Sequence, residues 1–251
     1  MAEGARGVYS PDAGILNATK CVQAMVARTA AHGGVVRDRE AVQRIHADTN
    51  GVTVTTDKGA YRAARLIIAA GAWMNRMLHH IGISLPLEVV QEQVVHFKPL
   101  RNAHAFAPDK FPIWIHHHEP PGTYGFPIMG LPGLKLGFHQ EGYVVNVDEY
   151  TATARAVVTE RLRAYLARAL PDAAGEPFNA TACLYTNTPD QNFIVDTVPH
   201  LPNVAIASAC SGHGFKFAMG IGRALADLVM CGATEMPIAH IRTLGRYLKK
   251  D

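Results

Sequence analysis

The sequence predicts an α/β (α+β) chain in which residues 1–84 and 189–251 form one mixed part and 85–188 form a strand-rich insertion. Three observations predict it. The run Arg65-Leu66-Ile67-Ile68-Ala69 ends in a glycine turn, as a buried strand feeding a helix does. Between Leu85 and about Ala180, β-branched strands precede one long Ala/Arg/Leu-rich helical pattern. After Asn192 the chain returns to two short apolar strands and a final helix behind Ser211-Gly212-His213-Gly214.

Taken in order, Asn17 to His32 predicts a helix: Val22, Met25, Val26 and Ala30 recur at helical spacing and Gly33-Gly34 stops it. Val35-Val36 predicts a short strand. Ala41 to His46 and Gly51 to Thr56 alternate as a hairpin does, and Asp57-Lys58-Gly59-Ala60 turns the chain into Tyr61 to Ala63. The continuous apolar run Arg65 to Ala69 predicts a strand covered on both faces. Gly71-Ala72-Trp73 then opens a helix through Met74 to Ile81. Strands follow at Leu87 to Phe97, Phe111 to His117, Tyr124 to Met129 and Leu134 to Phe138. A helix begins around Asp148, is richest from Thr151 to Leu170 and stops at Pro171. Asn192 to Val195 and Val204 to Ala207 are the last strands, and no internal repeat or low-complexity segment interrupts the pattern.

A net charge of +3 spread over 251 residues, with Lys and Arg scattered, gives no nucleic-acid patch, and the basic stretch Arg242 to Lys250 is a solvated helix end. Cys21, Cys183, Cys210 and Cys231 form no C-x-x-C pair, which suits a reducing compartment. No apolar run approaches the roughly 20 residues that span a bilayer. The N-terminus carries no signal-peptide core and the C-terminal Lys-Lys-Asp is no peroxisomal address, so a cytoplasmic protein is expected. His116-His117-His118 cannot all face one ion from a strand, and no metal is expected. Serine-hydrolase, zinc-protease and P-loop motifs are missing.

Three stretches carry chemistry. In Cys183-Leu184-Tyr185-Thr186, running on to Thr188-Pro189-Asp190, the cysteine is either an inert packed thiol or, beside a cation, a thiolate nucleophile; Cys210 is the nearby alternative. Ser211 to Phe217 precedes a helix and would expose its first N–H groups, with Gly214 and Phe215 as backbone donors and Lys216 as a cation; the alternative is a glycine-rich cap with a solvated lysine. In the stretch Tyr124 to His139, Lys135 and His139 share a face by the two-residue period, either as the wet face of a strand or as the wall of a cavity. Tyr185, two residues after Cys183, points into the same cavity if its segment is a strand.

With Ala70-Gly71-Ala72-Trp73, these stretches resemble the monomeric sarcosine oxidase and N-methyl amino acid oxidase family, within the FAD-dependent amino-acid oxidase superfamily, over nearly the whole chain. The resemblance implies an incomplete FAD-binding nucleotide domain with an inserted mixed-sheet substrate domain. Residues 1–84 would be the C-terminal part of the FAD domain (the first residues belonging to it or to the substrate domain), 85–188 the substrate domain, and 189–251 the return. It implies FAD held covalently through Cys183, with Val36, Gly71, Ala72, Trp73, Gly212, His213, Gly214, Phe215 and Lys216 at the cofactor. Lys216 would also clamp the substrate carboxylate. Lys135 would activate dioxygen, while His139, Tyr124 and Tyr185 line the substrate cavity as catalytic groups. The implied reaction oxidises an N-methyl or cyclic amino acid and yields hydrogen peroxide. The missing G-x-G-x-x-G predicts an N-terminally truncated form, a monomer or the partner of a complementing N-terminal chain, that binds FAD poorly and aggregates when alone. A dehydrogenase using another electron acceptor, and an inactive fragment or split-enzyme subunit, are the alternatives.

Overall fold

The periodicities fold into twelve strands and five α-helices among the residues described by a computed structural model, 6–117, 121–208 and 210–248. In chain order these are α1 (Ala18–Ala31), β1 (Val42–Asp48), β2 (Gly51–Thr56), β3 (Ala60–Ala63), β4 (Leu66–Ile68), α2 (Met74–Leu78) and β5 (Glu88–Phe97). Then come β6 (Trp114–His116), β7 (Thr123–Phe126), β8 (Leu134–Phe138), β9 (Tyr143–Val144), α3 (Ala156–Ala169) and β10 (Pro177–Asn187). The last elements are β11 (Ile194–Val198), β12 (Leu201–Ser208), α4 (Ala218–Cys231) and α5 (Leu244–Tyr247). His118, Lys249 and Lys250, which belong to the histidine run and the basic tail, lie outside the described residues. Among the described residues no helix is long and apolar enough to cross a membrane.

The chain divides into two units: residues 89–185 with the described part of 1–15, and residues 16–88 with 186–251. The second of these, hereafter the outer unit, is built on β11-β12-β4, with β12 parallel to β4 and antiparallel to β11. One face buries Ile68, Ile194, Val204 and Ile206 together with Met74 and Leu78 of α2 and Ile45 and Val52 of the β1-β2-β3 meander. The other face buries Val195, Ala205 and Ala207 under α4, whose Ile221, Ala224, Leu225 and Leu228 form a stripe at helical spacing. Gly232 closes α4 in the left-handed region (φ 77°), its N–H donating to Leu228 O at 2.9 Å.

The inserted unit is a six-stranded sheet, β10-β5-β8-β7-β6 with β9 against β5. Residues opposite one another in antiparallel pairs share a face. Val95 opposite Leu136, Phe97 opposite Leu134 and Gly125 opposite Leu136 therefore face one way. α3 covers that face, burying Val158, Leu162, Tyr165 and Leu166 against Val95, Phe97, Leu134, Leu136 and Phe138.

Several expectations shift. α3 starts at Ala156 and not near Thr151, because the preceding segment is tied to β5: Gln91 Nε2 donates to Thr153 O (2.8 Å), and Arg155 N donates to Gln93 Oε1 (2.6 Å). Val35-Val36 forms no strand; both side chains are exposed and no neighbour pairs with them among the described residues. β4 is covered on one face only: Ile68 is buried, whereas Ile67, beside Ala205 on the α4 face, is 40% exposed. The strands expected at Phe111 to His117 and Tyr124 to Met129 shorten to β6 and β7. α1 forms where its spacing predicts, with Asn17 Oδ1 accepting from Lys20 N at 3.0 Å, yet buries none of its residues.

Candidate active site

The sheet face of the inserted unit turned away from α3 is where the register gathers the chemistry. Tyr124 stands opposite Gly137, Phe126 opposite Lys135, and Lys135 opposite His96, so β5, β7 and β8 project these side chains to one side. From β10, Asn179 reaches His96 Nδ1 at 3.2 Å and Tyr185 shares a hydrogen bond with Tyr124. The two-residue period then puts Cys183 on the same face. His139 follows β8 directly. Its N–H donates to Gly122 O (2.8 Å) and its ring packs edge-on against Tyr185 (5.9 Å) and Tyr124 (6.5 Å). Lys135 Nζ lies 5.2 Å from the Phe126 ring centroid, where the π-face supports the ammonium. Gly137 leaves the room that Tyr124 occupies: a Cβ there would stand 3.1 Å from the phenol oxygen and 2.9 Å from Gln93 O.

Tyr124, Lys135, His139, Cys183 and Tyr185 are thus brought to one face. The sequence reading passed over Glu92, which joins them. It lies on β5 two residues before Val94 and four before His96, is only 3% exposed, and its Oε1 accepts from Gly142 N at 2.9 Å. The signal was present as an acidic residue between two glutamines inside the apolar strand Val89 to Val95.

Burial dominates the electrostatics. It pushes the Glu92 carboxyl up to about 7, against the pull of the Gly142, Glu141 and Gln140 N–H groups. Burial raises the Tyr124 phenol to about 12 and raises Tyr185 as well, so both stay protonated donors at neutral pH. The Cys183 thiol is raised by burial and then by Glu92, with Lys135 opposing; the cation expected to favour the thiolate is outweighed. His96 is lowered by burial and by Lys135.

The outer unit holds the remaining candidates. β4 and β12 are parallel neighbours, and their carboxyl ends run into Gly71-Ala72-Trp73 and Ser211 to Phe217 respectively, the place where open α/β sheets take ligands. Gly71 has φ 52° and a Cβ there would meet nothing within 4 Å. Ser211 (φ 44°) and Gly212 (φ 77°) are both left-handed and swing the chain into a 3-10 turn, Phe215–Phe217, ahead of α4. Phe217 N bonds Gly214 O (2.9 Å), so the Phe215 and Lys216 N–H groups precede the first acceptor of the helical run. His213 packs on Phe193 (4.8 Å), and Lys216 is exposed with Nζ 5.4 Å from the Phe217 ring. Trp73, Phe215 and Phe217 expose aromatic surface, and the Ser208 Oγ at the end of β12 is buried with no partner among the described residues. Free N–H donors, an orphaned hydroxyl and open aromatic faces suit a flat cofactor with an anionic edge, so these residues fit the flavin that the resemblance implies. Val36 joins no such turn. Among the described residues no three His, Cys, Asp or Glu side chains are placed to hold a metal.

Comparison with known proteins identifies the family. The chain is 34% identical to monomeric sarcosine oxidase of Bacillus sp. (strain NS-129), over 97% of this chain and 63% of that protein. It is 33% identical to peroxisomal sarcosine oxidase of Homo sapiens, over 96% of this chain and 63% of that protein. It therefore spans somewhat less than two thirds of the curated relatives it matches. Among solved structures it is similar to NikD, an unusual amino acid oxidase essential for nikkomycin biosynthesis, with a TM-score of 0.73 at 26% identity, covering 88% of this chain and 58% of that one. Residues 2–228 match the family described as FAD dependent oxidoreductase, and the α/β chain belongs to that family.

Proposed function

We propose that this chain is the larger part of an FAD-dependent oxidase of secondary amino acids, N-methylated or cyclic, that reduces dioxygen to hydrogen peroxide. The observation that carries the reading is the single sheet face presenting a lysine, an imidazole, two protonated phenols and a thiol. Similarity to sarcosine oxidases at 33–34% identity supports the substrate class.

When bound, FAD supplies the hydride acceptor for the carbon beside the amine nitrogen and passes the electrons to dioxygen. Cys183 is the residue to tether it, and the turns at Gly71-Ala72-Trp73 and Gly212 to Lys216 are the ones to cradle it. Lys135, its ammonium beside the Phe126 ring on this face, meets the negative charge that develops on dioxygen. Tyr124 and Tyr185, held protonated, donate hydrogen bonds and orient the substrate; His139, packed against both, holds or releases a proton near the amine. Lys216 takes the substrate carboxylate. The dinucleotide-binding glycines that this cofactor needs belong to a segment outside these 251 residues, on the same polypeptide or on a second chain. We place the protein in the cytoplasm as a monomer or with that complementing chain.

The test is flavin retention. The chain is purified alone and after co-expression with a G-x-G-x-x-G segment of a relative, then denatured in acid. Flavin absorbance that stays with the denatured polypeptide and disappears in Cys183→Ala supports the reading, as does oxygen uptake on adding an N-methyl amino acid. Turnover with an artificial dye but not with oxygen would favour the dehydrogenase alternative. A colourless protein in both preparations would sink the reading.

A further inference from the structure

We propose that Glu92 is a positioning residue of the site face: its carboxylate gathers the backbone N–H groups of the turn after His139, and its protonation state sets where that imidazole stands against Tyr124 and Tyr185. The geometry is independent of the oxidase reading; its consequence for catalysis rests on it.

The turn His139-Gln140-Glu141-Gly142 is built around the Glu92 side chain. Gly142 N donates to Glu92 Oε1 at 2.9 Å, and the Gln140 and Glu141 N–H groups act on the same carboxylate. Gln140 takes a left-handed conformation (φ 61°), uncommon for a residue with a side chain. Gly142 comes so close to β5 that a Cβ would lie 2.5 Å from Gln91 O and 2.9 Å from Glu92 Oε1. Successive N–H groups aimed at one point make an anion nest, and here the anion is supplied from within the fold. Protonation of that anion removes acceptor capacity from these half-buried N–H groups. The turn then relaxes, and His139 is its first residue.

The groups facing Glu92 come from every element around it. β7 contributes Tyr124, β10 contributes Cys183 and Tyr185, and β8 contributes Lys135, which acts on the same thiol. The turn itself contributes Glu141, whose like charge favours the protonated form of Glu92. From α3 and its start, Arg161 and Arg155 line the same small cavity as Glu92. Arg161 holds Glu141 at 2.9 Å, and Arg155 lies 3.7 Å over the Tyr143 ring of β9. With those cations engaged, the balance of burial and N–H donors places the Glu92 transition near neutrality, where a site group can respond to pH.

The test is an NMR titration of the full chain, with amide nitrogen and histidine ring carbons labelled, from about pH 5 to about pH 9, the range that brackets a carboxyl raised to neutrality. The Gly142 amide proton is expected to move with a midpoint near pH 7, and a His139 ring resonance to show an inflection at the same midpoint. In Glu92→Gln the Gly142 movement vanishes and any inflection left at His139 is that of its own ring; both responses persist in Glu141→Gln. A Gly142 amide that stays flat in the wild type overturns the proposal. So does a Gly142 inflection that survives in Glu92→Gln, or a Gly142 response that His139 does not share. If Glu92→Gln fails to fold, the wild-type titration still decides through the first and last of these. Failure of the oxidase reading shows elsewhere, as a protein that retains no flavin while the two titrations remain coupled.

Discussion

Cys183 differs from an ordinary surface thiol because its strand and its neighbours hold the proton on. Iodoacetamide at about pH 7.5 should label exposed Cys231 well before Cys183 or Cys210, both half-buried and both raised by burial; peptide mapping of a labelling time course reads the order. Early labelling of Cys183 would contradict the environment described here. Glu92 makes a stability prediction with a definite sign. Its folded-state carboxyl titrates above its unfolded value, so no penalty exists below about pH 4, and stability falls as pH rises to neutrality. Above that the ionised form costs about 3 kcal/mol at most. Glu92→Gln should therefore gain stability over wild type at about pH 8 and little at about pH 5; urea denaturation at the two values measures the difference. At this scale the sequence was half legible. The two-residue period alone paired Lys135 with His139, and the cysteine motif drew attention to Tyr185. Glu92 escaped because a polar residue in a strand points inward or outward according to register, and register is a property of the partner strands.

Elements were legible where the apolar period was long. α1, β5 and β8 lie close to where their patterns predict them, and α4 follows the Ser211 turn as expected. α3 was misplaced at its start because Thr151 to Arg155 have acceptable helix-forming neighbours but are held by the amides of Gln91 and Gln93, 62 residues earlier in the chain and invisible to a local window. The same face-on packing makes α3 the element on which the inserted sheet depends. Leu162 is fully buried against that sheet, so Leu162→Ala should cost about 2–5 kcal/mol. Val22 and Val26 of α1 are exposed, and changing both to Lys should alter stability by no more than about 0.5 kcal/mol each. Denaturation midpoints of the two variants separate a helix that packs from one that does not. A large loss from the α1 pair would mean that this helix has a buried face.

The molecule as a whole has separate cores in its two units, and its two tryptophans divide between them: Trp73 in the outer unit and Trp114 in the inserted one. Fluorescence of Trp73→Phe then reports the inserted unit, and fluorescence of Trp114→Phe the outer one. Leu162→Ala should lower the denaturation midpoint seen by Trp114 and leave that seen by Trp73 nearly unchanged. Equal shifts at both probes would show a single cooperative block. The sequence changes character near Leu85, and the inserted unit takes up the chain from Val89. What no local pattern could supply was the one-sided β4, whose apolar run has the makeup of an interior strand.

That strand carries a consequence for exchange with solvent. β12 lies between β11 and β4 and is bonded on both sides, whereas among the described residues β4 has a neighbour on one side only. Alternate amides of β4 therefore face its open edge, and in heavy water they should take up deuterium quickly while those of β12 stay protected for as long as the outer unit is folded. Any segment that later pairs with β4 would erase that contrast at Leu66 to Ile68 alone, a signature that can be watched amide by amide.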